Sequence, residues 1–319
     1  MDRRAFLAGL AAVAAACRGT AQRPAGIPII DTHIHLFDQT RPQGAPYTGG
    51  RGAPDAPSVP ALPPRYRTVV AGPLGIVGAI EVEASPWVED NLWVLEIAQT
   101  DPIMVGTVGN LEPDKPEFPE YLERYHKNPL FRGIRYGNLW GRDFTKASEN
   151  PTFINGLKLL AQAGLVLDTA NPRITLLEAV VRITDHVPDL RVVLDHLPNL
   201  EPTVPERPVY ERLLDEIGDR PQIYVKLSQV VHRANGQVSF DVNSYRDRLD
   251  YLISVFGENR ILFGSDWPNS DAVGPVDRTV GVVKDYFAGK PKSLQEKYFW
   301  KNSIAAYRWV KRDPAQPSV

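Results

Sequence analysis

The sequence predicts an α/β chain folded as a single-domain (β/α)8 barrel of the TIM type. Three observations carry that expectation. Eight short apolar, β-branched runs recur along the chain, amphipathic helical patterns separate most of them, and polar side chains collect where the runs end. Strands alternating with helices form parallel βα units. Eight such units close a barrel whose chemistry sits at the C-terminal ends of its strands. A doubly wound sheet is the runner-up, but no Gly-x-Gly-x-x-Gly follows any of the runs.

Residues 1–21 read as an export signal outside the barrel. Asp2-Arg3-Arg4-Ala5-Phe6-Leu7 precedes an Ala-rich apolar stretch, and the paired arginines resemble a twin-arginine address. Cys17 is the only cysteine of the 319 residues, which excludes an internal disulfide. It closes Ala14-Ala15-Ala16-Cys17, which resembles a lipobox with Ala14 where leucine is usual. Acylation at Cys17 and cleavage near Gly19-Thr20-Ala21 both stay open. The expected location is periplasmic, either free or as a lipoprotein anchored to the membrane through Cys17.

The barrel is expected over 27–310. Its first strand, 27–33, runs into Asp31-Thr32-His33-Ile34-His35. Side chains alternate on a strand, so His33 and His35 share a face. Two imidazoles so placed can share a metal or a substrate oxygen; the plain reading is a pair of surface or core histidines. Residues 37–64 follow as a long loop with seven prolines, at 42, 46, 54, 57, 60, 63 and 64. It reads as a lid over the catalytic rim or as a simple insertion.

The later strands are expected at 76–82, 103–108, 131–136, 165–168, 192–196, 223–227 and 261–265. Helical periodicity falls at 91–99, 117–127, 152–162, 174–185, 210–219 and 244–256. Strand ends carry Glu81 and Glu83, Arg135, Asp168, His196, Lys226 and Asp266. Such groups are costly to bury unpaired, and gathering them at one rim satisfies them and builds a site. Trp87, Trp140 and Trp267 follow strands and either line a sugar-like pocket or pack in the core. His232, in the loop after the seventh strand, is a candidate substrate contact, whereas His126 and His186 sit in helical stretches and read as solvated. Residues 311–319 read as a flexible tail, disordered from Asp313.

Charge narrows the function classes. Lys and Arg number 36 against 38 Asp and Glu, a net charge of −2, so no basic field invites nucleic acid. No apolar run reaches the roughly 18 residues of a membrane span.

Asp-x-His-x-His on strand 1, Asp195-His196 on strand 6 and Gly264-Ser265-Asp266-Trp267-Pro268 after strand 8 together resemble the amidohydrolase superfamily. More narrowly, the chain resembles its lactonase branch, which includes L-fuconolactonase, L-rhamnonolactonase and 2-pyrone-4,6-dicarboxylate lactonase. Val82-Glu83-Ala84, Phe131-Arg132-Gly133-Ile134-Arg135, Tyr224-Val225-Lys226-Leu227-Ser228 and Lys301-Asn302-Ser303 support it, from about residue 28 to 309. The resemblance implies a barrel that hydrolyses a cyclic ester. Asp266 would be the general base, and His33, His35 and His196 would polarise the carbonyl. These four residues would act directly or hold one divalent metal, zinc being the candidate; both routes are open. Arg135 would bind substrate, joined by Asp168, Lys226, Trp87 and His232.

The chain also departs from the pattern. Strand 5 reads Val166-Leu167-Asp168-Thr169 where metal-dependent relatives carry histidine, no lysine ends strand 4, and Tyr136 stands where many relatives have histidine. The expected partner is a small-molecule lactone, with a homo-oligomer left open. The rival readings are a decarboxylase of the same superfamily and an exported binding protein with a decayed site.

Overall fold

The computed structural model describes residues 26–47, 59–234 and 236–318. The export signal with Cys17, and the middle of the proline-rich loop, lie outside the described residues. Eight strands form one sheet in sequential order: β1 (Ile29–Ile34), β2 (Ile76–Val82), β3 (Met104–Gly109), β4 (Phe131–Arg135), β5 (Val166–Asp168), β6 (Arg191–Leu194), β7 (Ile223–Lys226) and β8 (Ile261–Leu262). Every neighbouring pair is parallel. The last strand returns to the first. Thr32 N donates to Phe263 O at 3.0 Å, Asp266 N to His33 O at 2.9 Å and His35 N to Trp267 O at 2.8 Å. The expected (β/α)8 barrel is therefore the observed fold.

Helices cover the outside at α1 (Asp90–Thr100), α2 (Phe118–His126), α3 (Pro151–Gln162), α4 (Ile174–His186), α5 (Arg207–Gly218), α6 (Arg246–Phe256) and α7 (Val276–Ala288). Strand residues alternate between two apolar bodies. Ile30, Ile80, Val82, Val105, Val166, Val193 and Leu262 fill the barrel interior, while their neighbours pack against the helix layer. Burial on both faces explains why the strands read as unbroken β-branched runs.

Four differences from the sequence reading stand out. Helix α7 escaped the periodicity because it is rich in valine, whose branched side chain mimics a strand pattern. Its buried face is Val276, Thr279, Val280, Val283, Tyr286 and Phe287. The loop after β1 ends in a helical turn at Pro63–Tyr66, where two prolines suit the first helical positions. A C-terminal helical stretch, ending in Asn302–Tyr307, closes the bottom of the barrel. The tail expected to be disordered is tied down: Gln316 is fully buried, and its Nε2 donates to Val77 O at 3.0 Å and Pro102 O at 2.8 Å.

Candidate active site

The site begins with a buried acid. Asp31 Oδ2 accepts from Tyr66 O–H at 2.7 Å, and its Oδ1 accepts from Ser265 N at 2.9 Å and His33 N at 3.1 Å. One carboxylate thereby ties β1 to the turn after β8 and to the helical turn at Tyr66. Gly264 completes the junction, because a Cβ there would lie 2.8 Å from the Cβ of His33. No side chain fits that approach.

This junction brings three imidazoles to one carboxylate. The Nε2 atoms of His33, His35 and His196 lie 3.6, 3.3 and 3.8 Å from Asp266 Oδ1, and the first two are 3.3 Å apart. All four residues are buried. His35 Nδ1 donates to Val82 O at 2.7 Å, so its Nε2 presents a lone pair to the centre. His196 Nδ1 meets Ser228 Oγ at 2.8 Å. Gln229 Nε2 donates to Asp266 Oδ2 at 2.6 Å and Asn269 Nδ2 to Oδ1 at 3.1 Å.

Backbone geometry aims these groups. His196, Gln229 and Asp266 follow β6, β7 and β8 with φ of 55°, 49° and 57°. Non-glycine residues adopt this left-handed conformation at a cost, and it clusters where a site dictates it. Strands β6 and β8 accordingly stop before His196 and Asp266, which the sequence reading had placed in or directly after them.

Burial and charge set the protonation states. Burial, first of all, pushes His196 down to about 4. His33 is held well below its ordinary value by burial and then by the Lys226 charge. Burial alone would raise Asp266, but His196, His35 and His33 outweigh it and hold it well below the usual carboxylate range. The centre is one ionised carboxylate among imidazoles.

A metal fits this donor set. Ligand atoms of His33, His196 and Asp266 all lie within 4.8 Å of one another. A tetrahedral zinc with bonds of about 2.0–2.1 Å would place its ligand atoms roughly 3.4 Å apart, close to the 3.3–3.8 Å separations around Asp266 Oδ1. Nitrogen and carboxylate donors suit that ion.

Beneath the centre lies a second polar layer. Lys226 Nζ donates to Asp168 Oδ2 at 2.6 Å and His33 Nδ1 at 3.2 Å, and pairs with Asp195 Oδ1 at 3.0 Å. Tyr307 reaches up the barrel to donate to Asp168 Oδ2 at 2.8 Å. Strand register puts Arg135 beside Asp168, and Arg135 Nε pairs with Asp195 Oδ2 at 3.2 Å. Asp168 and Lys226, expected at the substrate, are instead fully buried and matched to partners.

The other expected contacts divide. Trp87 lines a small cavity with Glu81, Glu83 and Trp93, at the β2–β3 side of the rim and apart from the four-residue centre. His232 shares a cavity of about 300 Å³ with Gln229 and Asp266, but its ring is engaged by Val230 O at 2.8 Å and Glu201 Oε1 at 3.2 Å. Trp267 is core, fully buried against Tyr66. Trp140 holds Glu83 Oε2 through its indole N–H at 2.9 Å.

Sequence reasoning missed Asp195, Gln229, Asn269 and Tyr47. Asp195 had a signal, as a buried acid beside a candidate histidine. Tyr47 had none: it leaves the proline-rich loop, packs edge-on to His35 with centroids 5.9 Å apart and donates to Asn269 Oδ1.

Comparison with known proteins agrees with this architecture. The family model described as amidohydrolase matches residues 30–309. The chain belongs to the amidohydrolase family. It is 24% identical to an L-fucono-1,5-lactonase of Burkholderia ambifaria over 67% of this chain and 70% of that protein. A second L-fucono-1,5-lactonase, of Burkholderia multivorans, is 23% identical over 86% and 94% of the two chains. Among solved structures, a Burkholderia multivorans amidohydrolase with bound zinc superposes with a TM-score of 0.77 at 21% identity, covering 88% of this chain and 99% of that one. This amidohydrolase thus shares a barrel with a protein that holds zinc.

Proposed function

We propose that this amidohydrolase opens a lactone, a cyclic ester derived from a sugar acid, with water activated by Asp266. The observation that carries the reading is the single ionised carboxylate ringed by three imidazole nitrogens at 3.3–3.8 Å. Ester hydrolysis asks for a base on water and for donors or a cation where the carbonyl oxygen becomes negative. Asp266 would accept the water proton. Arg135 is buried, and its Nε is held by Asp195 Oδ2 at 3.2 Å and Thr169 O at 3.3 Å. Its guanidinium suits a substrate oxygen or carboxylate. A divalent metal held by His33, His35, His196 and Asp266 would supply Lewis acidity at the same place.

The two relatives named L-fucono-1,5-lactonase support a sugar-derived substrate. So does the rim, where Tyr47 and Trp140 approach with centroids 6.4 Å apart and Glu83 sits beside them, offering ring faces and an acceptor to a polyol. A pH-indicator screen against aldonolactones, with and without added zinc, tests the reading. Acid release from at least one of them is expected, and silence across the panel under both conditions overturns it. Export by the residue 1–21 signal is part of the same proposal, and appearance of the expressed protein in a periplasmic fraction checks it.

A further inference from the structure

We propose that the cavity beside Asp266 is a specificity pocket for a hydrocarbon substituent on the lactone ring, an alkyl group larger than methyl. The inference rests on the lactonase reading and narrows it. One edge of the substrate would be apolar while another is hydroxylated. The cavity measures about 300 Å³ and has the centre for its inner wall. Asp266 lines it directly. So do Gln229, which donates to Asp266 Oδ2, and Ser228, which meets His196 Nδ1. A substituent on a ring held at Asp266 would have this space next to it.

The size of the space excludes a bland reading. Packed interiors keep few voids larger than a water molecule, and unfilled apolar space costs stability. An apolar cavity of about 150 Å³ is enough to hold a benzene molecule. The space beside Asp266 is larger than that and exceeds what a methyl or hydroxyl group fills. Helix α7 keeps it open by turning valines to it, Val280 and Val283, with Val273 just before the helix. The large side chains of α7 go elsewhere: Phe287 stacks on Tyr298 with centroids 4.0 Å apart, and Tyr286 O–H donates to Asp250.

The lining gives the chemical class of the occupant. Leu227, Val230 and Phe263 add to the three valines, so the walls away from Asp266 are largely hydrocarbon. Thr279 also lines the cavity, but its hydroxyl already donates to Val276 O at 3.0 Å. Polar groups belong to the centre and the turn after it, where Asn269 donates to Asp266 and buried Ser270 Oγ has no hydrogen-bond partner among the described residues. The groups suited to hydroxyls lie elsewhere on the rim: Glu83 and Trp140 follow β2 and β4, whereas this cavity adjoins β7 and β8. A ring at the centre would meet polar partners on one edge and aliphatic walls on another.

The test uses two ring amides that resist hydrolysis, δ-valerolactam and its derivative with a pentyl chain beside the nitrogen, titrated calorimetrically into the full chain. Each buried methylene is worth about fourfold in affinity. The pentyl lactam is therefore expected to bind about tenfold or more tightly than its parent, and a smaller ratio overturns the proposal. Val273→Trp and Val280→Phe fill the cavity, and each is expected to cut that ratio by about fivefold or more. A ratio that holds in the folded variants overturns the proposal. Reading a ratio keeps a general loss of binding from imitating the effect, and if neither variant folds the wild-type ratio decides alone. Because lactams need no turnover, a silent lactone screen beside a tenfold ratio would strike the hydrolase reading and leave the pocket. Lactone turnover beside a flat ratio would do the reverse.

Discussion

Two polar layers share the upper barrel and are built on opposite rules. In the lower one, Lys226, Asp168, Asp195 and Tyr307 pair charge with charge or hydroxyl at 2.6–3.0 Å, and Lys226 and Asp168 have no exposed surface. In the upper one, three imidazoles crowd Asp266 at the longer separations of 3.3–3.8 Å, with His196 and Asp266 on backbone in the left-handed region. The lower layer resembles a fastener and the upper one a site with room for a reacting atom. Full pairing of buried charge gives rigidity, whereas loosely met donors and acceptors keep interaction energy for a ligand.

Changes in the two layers should therefore register in different measurements. Asp266→Asn is expected to lower kcat by about 10³-fold or more, while a lactone substrate still binds with KM changed only a few-fold. A variant with near-normal turnover removes Asp266 from the role of base. Lys226→Met leaves buried Asp168 without its cation and Asp195 with Arg135 alone, and should cost about 3–5 kcal/mol of unfolding free energy in a urea titration. A loss below about 1 kcal/mol would mean that the lower layer is not a fastener.

The pH dependence of stability separates the layers next. His196 titrates near 4 in the folded chain against 6.5 ordinarily, chiefly because it is buried. Between those values the unfolded chain binds a proton that folded His196 refuses, so stability rises with pH across that window. Glu81 works in the other direction, because burial raises its folded pKa well above the ordinary 4.5 and its contribution falls as pH rises. Comparing wild type with His196→Gln isolates the first effect. The slope between about pH 4 and 6.5 should flatten in the variant, and an unchanged slope would show that His196 takes up its proton in the folded state. The smallest expected effect is at Trp87, which is 39% exposed on the far side of the rim. Trp87→Ala should alter kcat by less than about twofold and stability by less than about 0.5 kcal/mol. A large loss of kcat would extend the site across to β2.

Much of the barrel was legible because its signal is local. Each strand is buried and so is written as a short β-branched run, and most are followed by a helix of recognisable period. The misreadings have the same origin: α7 is a helix written in valines, and the packed tail depends on one glutamine reaching Val77 O and Pro102 O from far along the chain. At the site, His33, His35, His196 and Asp266 were found together because polar residues at buried strand ends need a reason to be there. Asp168 and Lys226 met the same criterion, and the structure pairs them with each other beneath that centre. Sequence marks that a charge is buried but not which neighbour answers it.

The sequence alone determined the barrel, its polar strand ends and the carboxylate and three imidazoles that meet there, because alternation and burial leave a periodic imprint. Only the tertiary structure decided which polar groups gather around Asp266 and which pair with one another beneath it. That choice rests on contacts such as Lys226 to His33, separated by 193 residues, and on left-handed turns after β6, β7 and β8. Neither is encoded in any local pattern, since both exist only once the last strand has closed on the first.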